Sequence, residues 1–390
     1  MRVIKWIVRI VLGLTGLALA GFFLFAPGIA EKGMNVVTPH DPFPVTQAAQ
    51  SLHDSLIIGD WHADTLLWNR DLNAYGTRGQ VDFPRLIQGG TALQVFTSVT
   101  KTPAGQNYEE NSAQARDNVT LLAIGQLWPP RTWTSLAERA LYHAKRLENA
   151  VAESDGKVVF IRSIADLDQF LTARKTGGAQ LGVLFGTEGG HPLEGDIANL
   201  DRLEAAGLRL MGLQHFFDND LGGSLHGIGN HGLTDFGRTV VTEIAKRPIV
   251  LDLAHSSEQT ARDVLAMTEM PLIVSHTGLH SHCEVKRNYP DDLMRDIAAT
   301  GGVIAIGYWQ DVTCDDSPQG IAKTVKAAIA AVGADHVSLG SDFDGAVTTA
   351  FDAAELPALT QAMLDAGIAV ADIRKVAGEN MIRVLRARLN

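Results

Sequence analysis

Six short segments place an ionisable side chain directly after an apolar, mostly β-branched run. They are Trp61-His62-Ala63-Asp64, Thr187-Glu188-Gly189-Gly190-His191, Gln214-His215, Ala254-His255, Ser275-His276 and Ser341-Asp342-Phe343-Asp344. His62 and Asp64 lie two apart, so on an extended segment both point to one side. Imidazole nitrogen and carboxylate oxygen are zinc ligands, at about 2.0–2.2 Å. His255 and His276 follow neighbouring runs and can converge on a second ion, with Glu188 bridging through its two oxygens. Two Zn2+ ions roughly 3.5–4 Å apart would polarise a carbonyl and create a hydroxide nucleophile near neutral pH. Asp342 could then take a proton from that water and pass it to a leaving amine. Each fragment alone is weak, since a lone His-x-Asp is more often a turn or a capped helix start. Their joint placement at successive run ends carries the metal-hydrolase reading.

Those ends need a scaffold. Eight apolar runs recur along the chain: Leu56–Trp61, Ala92–Thr97, Leu181–Thr187, Leu208–Gln214, Ile249–Ala254, Leu272–Ser275, Val303–Gly307 and Val337–Gly340. Continuous apolar stretches of this length read as parallel strands buried on both faces. Helical patterns lie between them, among them Asn199–Ala206, Leu293–Ala299 and Ala322–Val332, and Val370–Asn390 reads as a closing helix. The predicted fold is therefore α/β, a (β/α)8 TIM barrel, whose active sites sit at the C-terminal ends of the strands. A doubly wound open sheet is the alternative. Residues 98–180 form a long insertion after the second strand. It is predicted to be mostly helical, over Ala113–Gln126 and Ser135–Ala152, and to cover one side of the site.

The N-terminus reads as a targeting segment. Arg2, Lys5 and Arg9 precede Ile10–Ala26, an uncharged apolar run of 17 residues. Residues 1–30 are read as a membrane anchor helix or a signal segment, 31–50 as a linker, and 51–390 as the catalytic barrel. The uncleaved anchor is preferred. It leaves the positive head inside and the body on the periplasmic face of the inner membrane; cleavage would give a secreted or periplasmic protein. The chain's formal charge is -11. The first 30 residues hold three of its 33 basic groups and none of its 44 acidic ones, so the body is more acidic still. Nucleic acid is an unsuitable partner for such a surface.

Other motifs are discounted. Gly227-Ile228-Gly229-Asn230-His231-Gly232 matches a dinucleotide fingerprint but follows no strand, and no G-x-S-x-G elbow exists. His226 and His231 sit in a Gly-rich loop and could line the site, a loop role being preferred; His40, His53, His143, His280, His282 and His336 read as surface or structural. Cys283 and Cys314 are either a disulfide or two buried thiols.

The chain resembles the membrane (renal) dipeptidases, zinc enzymes of the amidohydrolase superfamily, from about Ser55 to Val384. The resemblance rests on Gly59-Asp60-Trp61-His62-Ala63-Asp64, Thr187-Glu188-Gly189-Gly190-His191, Val250-Leu251-Asp252-Leu253-Ala254-His255-Ser256 and Val274-Ser275-His276. It rests also on Lys286-Arg287-Asn288-Tyr289-Pro290-Asp291-Asp292 and Gly340-Ser341-Asp342-Phe343-Asp344-Gly345. It implies hydrolysis of dipeptides by two zinc ions held by His62, Asp64, Glu188, His255 and His276. It implies further that His215 supports the oxyanion, that Arg287 grips the substrate's terminal carboxylate, and that Asp342 is the acid/base. Tyr308 is added as a substrate contact, and Cys283 and Cys314 as one disulfide. A second family disulfide and the mammalian C-terminal lipid anchor have no counterpart. The loop His215–Gly232 looks like that of bacterial members. Two other readings remain: the same metals acting on a lactone, β-lactam or phosphoester, and a non-catalytic peptide-binding surface protein. The sequence leaves a homodimer open.

Overall fold

The structure is a computed structural model describing residues 2–178 and 180–389. Eight parallel strands form the barrel: β1 (Ile58–Ala63), β2 (Thr91–Val99), β3 (Leu181–Glu188), β4 (Leu208–Gly212), β5 (Val250–Asp252), β6 (Leu272–Thr277), β7 (Val303–Ile306) and β8 (Val337–Leu339). They hydrogen-bond in sequence order, as the eight-run reading predicts. Closure between β8 and β1 is made just beyond the strands. Asp64 N donates to Phe343 O at 2.9 Å, and buried Asp60 accepts from His62 N at 3.0 Å and Ser341 N at 2.9 Å.

Alternation along the strands separates two apolar layers. Leu93, Val95, Leu184, Leu210, Val250, Ile273 and Val303 cluster with Met381, Val384 and Leu385 of the last helix. These side chains fill the barrel interior, as this fold requires. The other strand faces, including Val183, Phe185, Leu251, Val274 and Ile304, pack against the surrounding helices. Asp117, Ser135, Ser163, Thr234, Ser257 and Ser317 each cap a helix by accepting a backbone N–H, which satisfies donors the first turn leaves open.

The insertion after β2 holds helices Asn118–Gly125, Leu136–Ala152 and Ile164–Lys175. It also holds a strand, Val158–Phe160, paired outside the barrel path with β3. Three residues are too few for periodicity to reveal. The N-terminal helix spans Arg2–Met34, long and apolar enough to cross a membrane. Beyond it, Val36–Val37 pairs in parallel with Thr348–Thr349, so this part of the chain is fastened to the barrel. Cys283 and Cys314 form a disulfide with Cα atoms 5.6 Å apart.

Candidate active site

His62, Asp64, Glu188, His215, His255, His276 and Asp342, placed at strand ends by the sequence reading, arrive together at one end of the barrel. β1 delivers His62 and, just beyond it, Asp64; β3 delivers Glu188; β6 delivers His276. His215, His255 and Asp342 follow β4, β5 and β8. All seven are buried. The ladder between β1 and β2 is irregular between Asp60 and Ala63, and that between β6 and β7 between Val274 and Thr277. Such irregularities re-aim side chains, and these two fall at His62 and His276. His255 and Asp342 sit in the left-handed region, at φ 63° and 60°. For residues with a Cβ this costs about 1–2 kcal/mol each. Both are held there by surrounding structure.

Glu188 is the centre. Its Oε1 lies 3.0 Å from His255 Nε2, 3.4 Å from His276 Nε2 and 3.5 Å from His62 Nε2. Its Oε2 lies 3.0 Å from His215 Nε2. His255 and His276 bring their Nε2 atoms to 3.0 Å, and His62 Nε2 stands 3.5 Å from Asp64 Oδ1 and 3.9 Å from Asp342 Oδ1. Three overlapping donor sets each fall within 4.8 Å: His62/Asp64/Glu188, His62/His276/Asp342 and Glu188/His215/His255.

The electrostatics of this cluster favour cations. Three buried carboxylates face one guanidinium, Arg287. Burial pushes Glu188 well above the usual carboxylate range and Asp342 up to about 8. Burial also holds His255 and His276 well below the ordinary imidazole value, with Arg287 and neighbouring imidazoles adding to it, and brings His215 to about 4. Neutral imidazoles keep the lone pair a metal needs. His62 is the exception. Burial opposes its protonation, but Asp64, Glu188 and Asp342 together raise it to about 10. Its Nε2 is a buried atom with no hydrogen-bond partner. The donor set therefore fits divalent metal.

Outer groups fix these candidate donors. Ser275 Oγ donates to Asp252 Oδ2 at 2.5 Å, so it accepts from His276 Nδ1, 2.8 Å away. That leaves the His276 Nε2 lone pair facing the cluster. Asp252 is itself held by Ala254 N and Ser275 N, both at 2.9 Å. Ser275→Ala is expected to weaken metal affinity about 10–100-fold, read by titrating the folded apoprotein with Zn2+.

Arg287 lies in the segment after β6. Its Nη2 donates to His276 O at 2.6 Å, while its Nε is buried without a partner. Asn288 braces this segment, accepting from Gly278 N at 2.7 Å and donating to Cys283 O at 3.0 Å and Val312 O at 2.9 Å. The disulfide closes the same bracket from Cys283 to Cys314.

Tyr308 is not brought to the cavity. Its ring packs on Phe343 and Phe351 in the apolar layer, because adjacent residues on extended backbone point oppositely. Trp309 lines the cavity instead. Sequence reading also missed Tyr108, from the insertion, which accepts from Trp309 Nε1 at 3.0 Å. His226 is closer to the site than a loop role implies: it stacks on Phe216, with ring centroids 5.0 Å apart, and lies edge-on to His255 at 5.5 Å. His143 is buried at 2.8 Å from Ser98, a structural place.

Residues 46–389 match the family model described as membrane dipeptidase, peptidase family M19. Dipeptidase aclJ of Aspergillus oryzae is 27% identical over 383 residues, covering 88% of this chain and 83% of that protein. Among solved structures, the probable dipeptidase PvdM of Pseudomonas aeruginosa superposes with a TM-score of 0.72 at 18% identity, over 88% of this chain and 98% of that one. A metallo peptidase of Rhodobacter sphaeroides gives 0.69 at 24% identity, over 85% and 99%. With the barrel, the carboxylate–imidazole cluster and a family match over nearly the whole body in agreement, the chain belongs to the membrane dipeptidases of peptidase family M19 and is a metallodipeptidase.

Proposed function

We propose that the chain hydrolyses the peptide bond of dipeptides with two zinc ions. His62 and Asp64 would hold the first, His255 and His276 the second, and Glu188 would bridge. The observation that carries this is the position of Glu188 Oε1, within 3.5 Å of three imidazole nitrogens. Soft–hard balance in this nitrogen and oxygen set suits zinc. Two such ions supply Lewis-acid polarisation of the carbonyl and acidify a water towards neutral pH.

The protein's own groups do the rest. Arg287 presents its unpartnered Nε to the substrate's terminal carboxylate, in the planar geometry that suits such pairing. This sets the length limit, since the carboxylate must reach the arginine while the scissile carbonyl reaches the cluster. Asp342, whose Oδ1 lies 3.9 Å from His62 Nε2 at the edge of the cluster, would accept a proton from water and return it to the leaving amine. His215, at the edge of the cluster, offers its imidazole to the carbonyl oxygen as charge develops there. The part of the Arg2–Met34 helix that precedes Phe22 would tether the enzyme to the inner membrane, with the barrel on the periplasmic face.

The test is release of free alanine from L-Ala-D-Ala, whose phosphinate mimic is bound in the Rhodobacter structure. Activity should vanish on chelation and return with Zn2+ but not with Mg2+. Turnover that survives complete demetallation would contradict the reading.

A further inference from the structure

The cavity over the cluster measures about 970 Å³, at the top of the roughly 300–1,000 Å³ common for small-molecule sites. A small dipeptide leaves much of it unfilled. The surplus is apolar. One wall is the N-terminal helix, where Phe22, Ala26, Ala30 and Met34 all line the cavity. Their four-residue spacing puts them on one helix face. Trp68, after β1, and Leu122, in the insertion helix Asn118–Gly125, line the same cavity.

This wall is locked in place. Glu31 is 2% exposed and ion-paired with Arg70, and with Arg78 at 3.1 Å. Arg70 also pairs with Asp344, two residues beyond Asp342. Ala346 N donates to Asn35 Oδ1 at 2.9 Å. At Gly125 an added Cβ would lie 3.3 Å from both Phe22 and Pro27, so the helix approaches the insertion closely there. The helix end is thus fastened to the same loop that presents Asp342.

We propose that the N-terminal helix is a specificity element of the active site. Its Phe22/Ala26/Ala30/Met34 face holds a large apolar side chain on the amino-terminal residue of the dipeptide. The proposal rests on the dipeptidase reading above. Arg287, after β6, fixes the carboxylate end on that side of the barrel. The amino-terminal half then extends towards β8 and β1, where Asp342, Trp68 and the helix stand. A charged or small residue would leave this apolar wall in contact with water, whereas a large apolar one removes it. Cleavage at Gly28–Ala30 would strip most of the wall, so the segment must stay on the working enzyme.

Steady-state kinetics on the full chain in lipid nanodiscs test this. Phenylalanyl-alanine is compared with alanyl-alanine for the parent, Phe22→Ala and Ala26→Trp. Losing contact area or filling the space should lower the ratio of the two kcat/KM values about tenfold, the scale of a methylene-sized mismatch in an apolar pocket. A general structural defect would lower both substrates together and leave the ratio unchanged. An unchanged ratio in both variants, with alanyl-alanine still turned over, overturns the proposal. A parent that turns over neither dipeptide overturns the dipeptidase reading instead. Mass spectrometry of the membrane-extracted enzyme gives an independent check: retention of residues 22–34 supports the proposal, and a chain starting at or after residue 31 overturns it.

Discussion

His255→Ala should lower kcat/KM for alanyl-alanine by about a thousandfold or more and reduce bound zinc from two ions per chain towards one. The size follows from geometry. His255 Nε2 is 3.0 Å from both Glu188 Oε1 and His276 Nε2, so its loss opens the centre of the donor set, not its edge. Lewis-acid stabilisation is worth several kcal/mol, and each 1.36 kcal/mol is about tenfold in rate. His255 also adopts a left-handed backbone, φ 63°, so alanine keeps the strain and loses the imidazole. Metal analysis beside kinetics separates the two explanations for a dead enzyme. Full activity in this variant would remove the metal assignment.

Arg287→Ala should raise KM for a free dipeptide about a hundredfold, while leaving the C-terminal amide of the same dipeptide nearly unaffected. Truncating one partner of a buried, hydrogen-bonded charge pair costs about 2–5 kcal/mol. Arg287 is 2% exposed, so its pairing with a substrate carboxylate would be shielded from water. Arg287→Lys should recover little, because an ammonium cannot reproduce the planar fork that also bonds His276 O. Equal rates on acid and amide in the parent would strip the arginine of this role. They would also favour a lactone, β-lactam or phosphoester as the true substrate of the same barrel.

The barrel was legible because each buried strand is a continuous apolar run followed by a polar residue. His62, Asp64, Glu188, His255 and His276 could be nominated for the same reason: each breaks an apolar pattern at its C-terminal end. What was not legible depends on direction and on long-range packing. Tyr308 and Trp309 are neighbours in sequence, and only the three-dimensional path of the chain after β7 decides which one faces the cavity. Tyr108 sits in an irregular part of the insertion, and nothing local signals that it reaches Trp309. Asp60 and Asp252 look like part of the catalytic motifs; each is a clamp accepting two backbone N–H groups across neighbouring strands or loops. The strand Val158–Phe160 and the use of the N-terminal helix as a cavity wall depend on partners more than 20 residues away.

The N-terminal helix and the site are thereby one structural problem. Glu31 closes the helix onto Arg70, and Arg70 reaches Asp344 in the loop carrying Asp342. A helix read from sequence as a mere tether is, in the folded chain, fastened to the loop that carries Asp342.

The most direct measurement is a crystal structure of the full chain with anomalous scattering recorded on either side of the zinc absorption edge. Two peaks, roughly 3.5–4 Å apart and flanking the Glu188 carboxylate, are the predicted result. A single peak away from Glu188, or imidazoles of His62, His255 and His276 turned to separate partners, would contradict it.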